Sequence, residues 1–193
     1  LLLRSRSPLP LPLFFPRQRR VCIRDRLSLI AVTEQASAAE RRVIQEAFGA
    51  AGALTSIVRL RRDDPEECTD FMKEYKQASD IYSLVGFIDL EGQMTCSSTG
   101  QSHDFSQIEN FRTLLADPVR RAMPVMQGAI SKQVITLINA PVYEGGELIG
   151  FMALSIPQGA INARREAGAQ YSNLAMMTLN KQGHILTTEN GLE

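Results

Sequence analysis

The sequence contains no tryptophan, few other aromatic residues, and no excess of either charge. A core with so few aromatic rings must be built from leucine, isoleucine, valine, methionine and alanine. Because 21 basic residues balance 21 acidic ones, there is no basic excess to attract nucleic acid, and no nucleic-acid partner is predicted. The sequence also has no run of about 18 apolar residues, so no transmembrane helix is predicted within it.

Cysteine and histidine are sparse as well. The cysteines are Cys22, Cys68 and Cys96, and the histidines are His103 and His184. No two cysteines are spaced as in a Cys-x-x-Cys pair, so we predict no metal site and no cofactor. A serine-rich stretch precedes His103, but residues that adjoin in sequence do not make a catalytic triad, and no enzymatic activity is predicted.

Residues 1–26 differ in composition from the rest of the chain. Prolines interrupt their apolar stretch, and arginines flank it on both sides. Since proline lacks the backbone donor of a helix, this segment does not fit the apolar core of a secretory signal. We expect a disordered or artefactual leader, with a targeting or membrane-proximal element as the alternative. The first residue is leucine, so we expect the sequence to be a fragment or a mis-started reading frame.

A long helical pattern follows this leader. Apolar residues recur at helical spacing from Val43 to Val58, and Ser37 and Glu40 have the spacing of a capping box. These signals predict a long N-terminal helix within 27–62.

Two shorter helices are predicted further along the chain. Asp64 can cap a helix that begins at Pro65 and ends near Gln77. Ser106 and Glu109 have capping-box spacing for a third helix. The acidic residues near the second helix therefore indicate capping rather than acid–base chemistry.

Five β-strands are predicted from alternating and β-branched residues, at 82–89, 93–98, 124–131, 133–143 and 147–156. Gly145 and Gly146 lie between the last two strands, a strong signal for a tight hairpin. The order is helix, helix, two strands, helix and three strands. It predicts an α+β fold, with a five-stranded antiparallel sheet and helices packed on one side.

The segment 87–97 resembles a second segment near the end of the sequence. It aligns with 178–188 when Gly92 is matched to Gly183, and each segment reads as strand, polar turn and strand. We expect 166–193 to begin a second, truncated copy of the same unit, with two unrelated hairpins as the alternative.

Two segments together carry a family resemblance. GFIDLEGQMTCSS, followed by NAPVYEGGELIGFMALSIP, resembles the Cache superfamily, the PAS-like extracytoplasmic sensor domains of bacterial membrane receptors. The resemblance covers about 37–165, and it identifies 63–165 as the sensor domain. It implies a periplasmic, membrane-tethered input domain that senses a small molecule and controls a histidine kinase, diguanylate cyclase or chemotaxis output.

The same resemblance implies a disulfide between Cys68 and Cys96. Several Cache-like sensors are similar in having one cysteine at the start of this helix and another before a serine on the second strand. Such a bridge would need an oxidising compartment. Two buried thiols are the alternative.

In a PAS-like fold, a ligand pocket lies between the sheet and the helices and loops that cross it, so polar residues there are candidates. The predicted ligand-binding residues are Arg112, Lys132, Asn139, Tyr143 and Ser98. The guanidinium group of Arg112 suits a carboxylate through two parallel hydrogen bonds, which predicts a small carboxylate or other anion as ligand. For each residue, a solvated or helix-stabilising side chain is the alternative.

Two other functions remain open at this point. The apolar stripe of the long helix could pair with a second copy through Val43, Phe48, Leu54 and Ile57, which would make a structural dimerisation module. A homodimer through the long helix is also predicted for the receptor. The other alternative is a cytosolic PAS-like sensor, in which a disulfide would not be expected.

Overall fold

A computed structural model of the chain describes residues 17–61, 63–166, 177–179, 183 and 185–188. The helices are α1 (Arg17–Arg61), α2 (Pro65–Gln77), α3 (Glu109–Ala116) and α4 (Gln158–Glu166). The strands are β1 (Leu84–Asp89), β2 (Gln93–Met94), β3 (Cys96–Ser97), β4 (His103–Asp104), β5 (Arg121–Val125), β6 (Ile135–Glu144), β7 (Glu147–Pro157), β8 (Met177–Leu179) and β9 (Ile185–Thr188). The predicted α+β class is confirmed.

The central sheet has five antiparallel strands in the order β3–β1–β7–β6–β5. The long strands β6 and β7 form its middle, joined by the hairpin predicted at Gly145 and Gly146. Both glycines have positive φ, 60° and 94°, as a two-residue turn that matches the twist of the strands requires. The hairpin prediction is confirmed.

The two faces of this sheet support separate apolar clusters. On one face, Val85, Ile138 and Leu154 pack against α1, α2 and α4. On the other face, Leu84 and Phe151 pack against Phe111 and Leu114 of α3. The sequence analysis placed the helices on one side, and the structure differs because α3 covers part of the opposite face.

Helix α1 provides the largest helical contribution to the first cluster. Its buried stripe consists of Val43, Ala47, Ala51, Leu54 and Val58, which lies over β6 and β7. Among the described residues, no helix has both the length and the apolar character needed to cross a bilayer. The helix nevertheless has 45 residues, far more than the sheet contact alone requires.

The start of α1 differs from the prediction. The helix begins at Arg17, so residues 17–26, assigned to the leader from composition, are helical, and residues 1–16 lie outside the described residues. Ser37 and Glu40 are inside the helix, and the predicted capping box there is wrong. Serine and glutamate also occur inside helices, so the capping-box spacing of Ser37 and Glu40 did not by itself mark the start of a helix.

Helix α2 follows its predicted signals. Asp64 has an extended backbone, and its Oδ1 accepts a hydrogen bond from the Glu67 amide at 3.0 Å, while Pro65 occupies the first helical position. The helix is then joined covalently to the edge of the sheet. Cys68 and Cys96 form the predicted disulfide, with their Cα atoms 5.5 Å apart, and both residues are buried.

Two boundaries between α3 and β6 are corrected by the structure. The helix begins at Glu109 after Ile108, and the amide of Ser106 instead donates to Asp104 Oδ1 at 2.8 Å, so Ser106 does not cap α3. The strand predicted at 124–131 is β5 at Arg121–Val125. Residues 126–134 form a loop, in which Lys132 has a φ of 57°.

The predicted second copy falls largely on residues outside the described ranges. The described part contains the antiparallel pair β8–β9, and Gly183 between them has a φ of 83°, close to the 85° of Gly92. The two glycines on which the segments align thus share a left-handed backbone. A second truncated lobe over 166–193 stays a prediction.

We expect Tyr82 to titrate at unusually high pH. Burial, with smaller contributions from Tyr75 and Glu46, raises the pKa of Tyr82 to about 12. The neutral phenol is favoured in the fold, so its contribution to stability is complete below about pH 10 and is lost as pH rises through about 12. The absence of tryptophan allows this step to be followed by phenolate absorbance. The Tyr82→Phe variant should lack the step, and an ordinary pKa assigned to Tyr82 would contradict the expectation.

The disulfide should contribute substantially to stability. In the chain-entropy model, closing a loop with a sequence separation of 28 lowers the entropy of the unfolded chain and stabilises the fold by roughly 3 kcal/mol. Denaturant unfolding with and without reductant measures this difference. The double variant Cys68→Ala/Cys96→Ala is the control, since reductant should leave its midpoint unchanged. Equal midpoints for the oxidised and reduced wild-type protein would show that the bridge adds nothing.

Candidate functional site

The sheet face opposite α1 is only partly covered by α3 and leaves a cavity. Register places Leu84, Ser155, Leu137 and Met123 in one row across β1, β7, β6 and β5. The next row contains Ala153 and Asn139, which are directly opposite each other on β7 and β6. Because side chains of opposed residues point to the same face, Leu84, Ser155, Leu137, Ala153 and Asn139 together form the floor of the cavity.

The roof and walls of the cavity come from three segments. Helix α3 contributes Phe111 and Leu114, Phe105 and Ile108 lie just before that helix, and the 126–134 loop crosses the far side. This 126–134 segment, the roof loop, contains a hydrogen bond of its own, since the Gly128 amide donates to the Gln133 carbonyl at 2.9 Å. The cavity volume is about 270 Å³, just below the range of roughly 300–1,000 Å³ common for ligand pockets.

The lining is mainly apolar and carries no formal charge. Its polar side chains are Ser83, Asn110, Gln127, Ser131, Asn139 and Ser155. None of the described residues that line the cavity is an aspartate, glutamate, lysine, arginine or histidine. The site therefore offers hydrogen bonds and apolar contact, without a charged group or a titrating base.

Asn139 is the most unusual of these polar residues. Its side chain is fully buried, at 0 % exposure, and neither the amide nitrogen nor the amide oxygen has a hydrogen-bond partner. The buried hydroxyl of Ser131, in the roof loop, is also without a partner. Most buried polar atoms in folded proteins are hydrogen-bonded, so two such residues lining one cavity form a polar site that the chain does not fill.

An ion pair lies beside the site on β5. Arg121 is directly opposite Asn139, on the same face, and its side chain is 23 % exposed. The guanidinium group donates to Asp117 Oδ2 at 2.6 Å, which turns its charge toward the loop that follows α3. Sequence reasoning did not identify Arg121, because its position on this face depends on the β5–β6 register.

Of the five predicted ligand residues, Asn139 lines the cavity and the other four do not. Arg112 is exposed on α3, where its Nη2 donates to Gln107 Oε1 at 2.9 Å. Lys132 donates from Nζ to the Ala129 carbonyl at 2.6 Å, within its own loop.

Tyr143 and Ser98 also lie away from the cavity. Tyr143 is 43 % exposed, and its hydroxyl donates to the Pro118 carbonyl at 3.4 Å. Ser98 Oγ accepts from the Val85 amide at 3.0 Å and so extends the edge of the sheet. The structure does not bring the five residues together, and the four outside the cavity have local contacts typical of structural side chains.

The histidine noted in the sequence has a structural setting. His103 Nε2 lies 3.0 Å from Thr99 Oγ1, and the ring meets Phe105 edge-on. Within the described part of the chain, no three histidine, cysteine, aspartate or glutamate side chains are grouped closely enough to bind a metal ion.

Sequence reasoning missed most of the cavity lining. Gln127 and Ser131 belong to a stretch that was predicted as a strand, so their position in a roof loop was not foreseen. A usable signal did exist for Asn139, because it is a polar residue in the middle of a strand, with apolar residues on both sides at Leu137–Ile138 and Ala140–Val142. A buried polar residue in such a strand is more informative than an exposed one.

Comparison with solved structures shows the fold of this chain. It is similar to the extracellular domain of rpHK1S-Z16, a protein assigned as a histidine kinase, with a TM-score of 0.67 and 16 % identity over 89 % of this chain and 74 % of that one. The sensor domain of the Vibrio cholerae histidine kinase DctB gives a TM-score of 0.65 and 12 % identity, over 89 % and 68 %. These TM-scores show the fold, and the expected PAS-like architecture with a five-stranded antiparallel sheet is confirmed.

A chemoreceptor domain has the same fold. The ligand-binding domain of Campylobacter jejuni Tlp3, in complex with L-norvaline, gives a TM-score of 0.58 and 12 % identity, over 84 % of this chain and 70 % of that one. Neither comparison with family models nor comparison with curated proteins returns a match.

The same substitution should have opposite effects on the two faces of the sheet. Ala153 lines the cavity, whereas Ala140 is buried in the cluster beneath α1. Ala153→Leu has room to enter the cavity, so we expect the free energy of unfolding to change by less than about 1 kcal/mol. Ala140→Leu overpacks the core and should lower it by roughly 1–3 kcal/mol. Denaturant unfolding of both variants is the measurement, and equal losses would mean that the cavity is not open space.

Proposed function

We propose that this chain is the small-molecule-sensing input domain of an extracytoplasmic bacterial receptor. The observation that carries the proposal is the uncharged cavity on the sheet, with the buried and unpartnered amide of Asn139 on its floor. A mainly apolar hollow with a few convergent polar groups is the usual form of a ligand site. The proposal assigns binding to the described residues and no catalytic step.

The position of the cavity suggests how binding could reach the long helix. Asn139 faces the cavity, while its neighbours Ile138 and Ala140 on the same strand lie in the cluster beneath α1. A ligand that fixes β6 from one side therefore acts on the strand that supports α1 on the other. Signalling follows if the ligand binds one arrangement of α1 and sheet more tightly than another.

The disulfide supports an extracytoplasmic location. Buried cysteines bridged between α2 and β3 fit an oxidising compartment and do not fit the reducing cytosol. The structural neighbours rpHK1S-Z16 and Tlp3 are an extracellular domain and a chemoreceptor ligand-binding domain, which supports the same assignment. We propose that the domain is tethered to the membrane and controls a kinase, cyclase or chemotaxis output.

The alternative of a structural dimerisation module receives less support. Val43 and Leu54, half of the stripe that would pair with a second copy, are buried in the chain's own core. Phe48 packs partly against that core, with the Arg120 guanidinium carbon 5.8 Å from its ring centre. A homodimer through the long helix, which we retain in the proposal, would have to use another face of α1.

A ligand should stabilise the domain in a cavity-dependent way. At 100 times its dissociation constant, a ligand adds about 2.7 kcal/mol to the free energy of unfolding. We expect a thermal-shift screen of small metabolites against the oxidised domain to yield at least one stabilising class. The shift should disappear in Ala153→Leu, because that side chain occupies the cavity.

Arg112→Ala is the matched control for this screen. Its side chain is exposed on α3 outside the cavity, so the ligand-induced shift should be retained. Loss of the shift in Arg112→Ala, with retention in Ala153→Leu, would move the site to the helix surface. A complete screen without any stabilising compound would contradict the sensing function.

A further inference from the structure

The side chain of Asn139 offers an unsatisfied donor and an unsatisfied acceptor at one point. The amide nitrogen and oxygen are both buried and both without a partner. Either orientation of the amide group presents one donor and one acceptor side by side, so the pattern does not depend on which atom is which. Leaving both unpaired in a buried place is unfavourable, which makes a complementary partner the expected occupant.

The strands on either side supply no such partner. On β7, Ala153 is opposite Asn139 and has only a methyl group. On β5, Arg121 is opposite and is engaged by Asp117 through a 2.6 Å hydrogen bond. The amide thus lies on the cavity side of the sheet, between a methyl group and a guanidinium that is already paired.

The surroundings select against a charged ligand. The cavity floor and roof are mainly apolar, with Leu84, Ile88 and Leu137 below and Phe111 and Leu114 above. No charged side chain of the described residues lines this space. Moving a carboxylate or an ammonium group there from water would carry a desolvation cost that no charged side chain of the lining offsets, and Arg121 beside Asn139 is already paired with Asp117.

We infer that the cavity binds an uncharged small molecule whose cis-amide edge, an adjacent N–H and C=O, pairs with Asn139 through two hydrogen bonds. Lactams and primary carboxamides on a compact apolar body have this edge, and a volume of about 270 Å³ suits a molecule of roughly one ring. The Ser131 hydroxyl of the roof loop provides a further polar contact. This inference rests on the proposed sensing function and replaces the small anion that the sequence suggested.

Two matched pairs of probes test the inference on the oxidised domain. Benzamide and benzoate share a skeleton and differ in charge, while δ-valerolactam and N-methyl-δ-valerolactam differ in the N–H donor. Titrations followed by protein NMR give a dissociation constant for each. We expect benzamide to bind at least about tenfold more tightly than benzoate, and the lactam more tightly than its N-methyl form by a similar factor.

Asn139→Leu is the decisive variant, because leucine has the same branched side-chain shape and no hydrogen-bonding atoms. It should weaken benzamide binding at least about tenfold and remove the preference over benzoate. Without ligand, its denaturation midpoint should equal or exceed that of the wild type, since an unpaired buried amide is removed. Arg112→Ala should retain both affinity and preference.

The outcomes separate the ligand class from the sensing function. If benzoate binds as well as benzamide, and Ala153→Leu abolishes both, the cavity senses ligands but the uncharged class is wrong. If Asn139→Leu lowers the midpoint and leaves benzamide binding unchanged, Asn139 is structural and the inference is overturned. If none of the four probes binds the wild type, the inference also fails, and the metabolite screen then decides the sensing function independently.

Discussion

Because side chains alternate along β6 and β7, one face of the sheet borders the cavity and the other packs against α1. Odd-numbered residues of β6, such as Leu137 and Asn139, face a hollow, and even-numbered ones, such as Ile138 and Ala140, face α1. The two sets cannot move independently, because they share one backbone and its hydrogen bonds to both neighbouring strands. This constraint connects whatever occupies the cavity to the long helix, and the proposed sensor depends on it.

The two faces of the sheet are covered to different extents. The disulfide joins α2 to β3, and α1 buries its apolar stripe on the sheet, so the helical face is held by a covalent bond and by buried apolar contacts. The opposite face is covered by the short helix α3 and by the 126–134 loop. In the proposed sensor, a ligand would enter from the face with less cover and act on the strands that support α1.

The absence of charged side chains among the described residues that line the cavity changes the chemistry expected for the ligand. Sequence reasoning selected Arg112 and Lys132 because cations suit carboxylates, yet both side chains bond to neighbouring groups outside the cavity. Arg121, the cation beside Asn139, is paired with Asp117. Which arginine approaches a pocket is decided by strand register and helix rotation, and neither property can be read from residue type.

Short stretches of sequence determined the elements that depend on only a few adjacent residues. The Asp64–Pro65 helix start and the Gly145–Gly146 hairpin follow from backbone requirements of a few adjacent residues. The class of the fold and the disulfide were also foreseen, through the order of elements and a family resemblance. Only the tertiary structure decided that β5 ends at Val125, that the next residues form a roof, and that Asn139 lies in a hollow without a partner. These features depend on pairing between distant segments, whose register and packing no short stretch of sequence specifies.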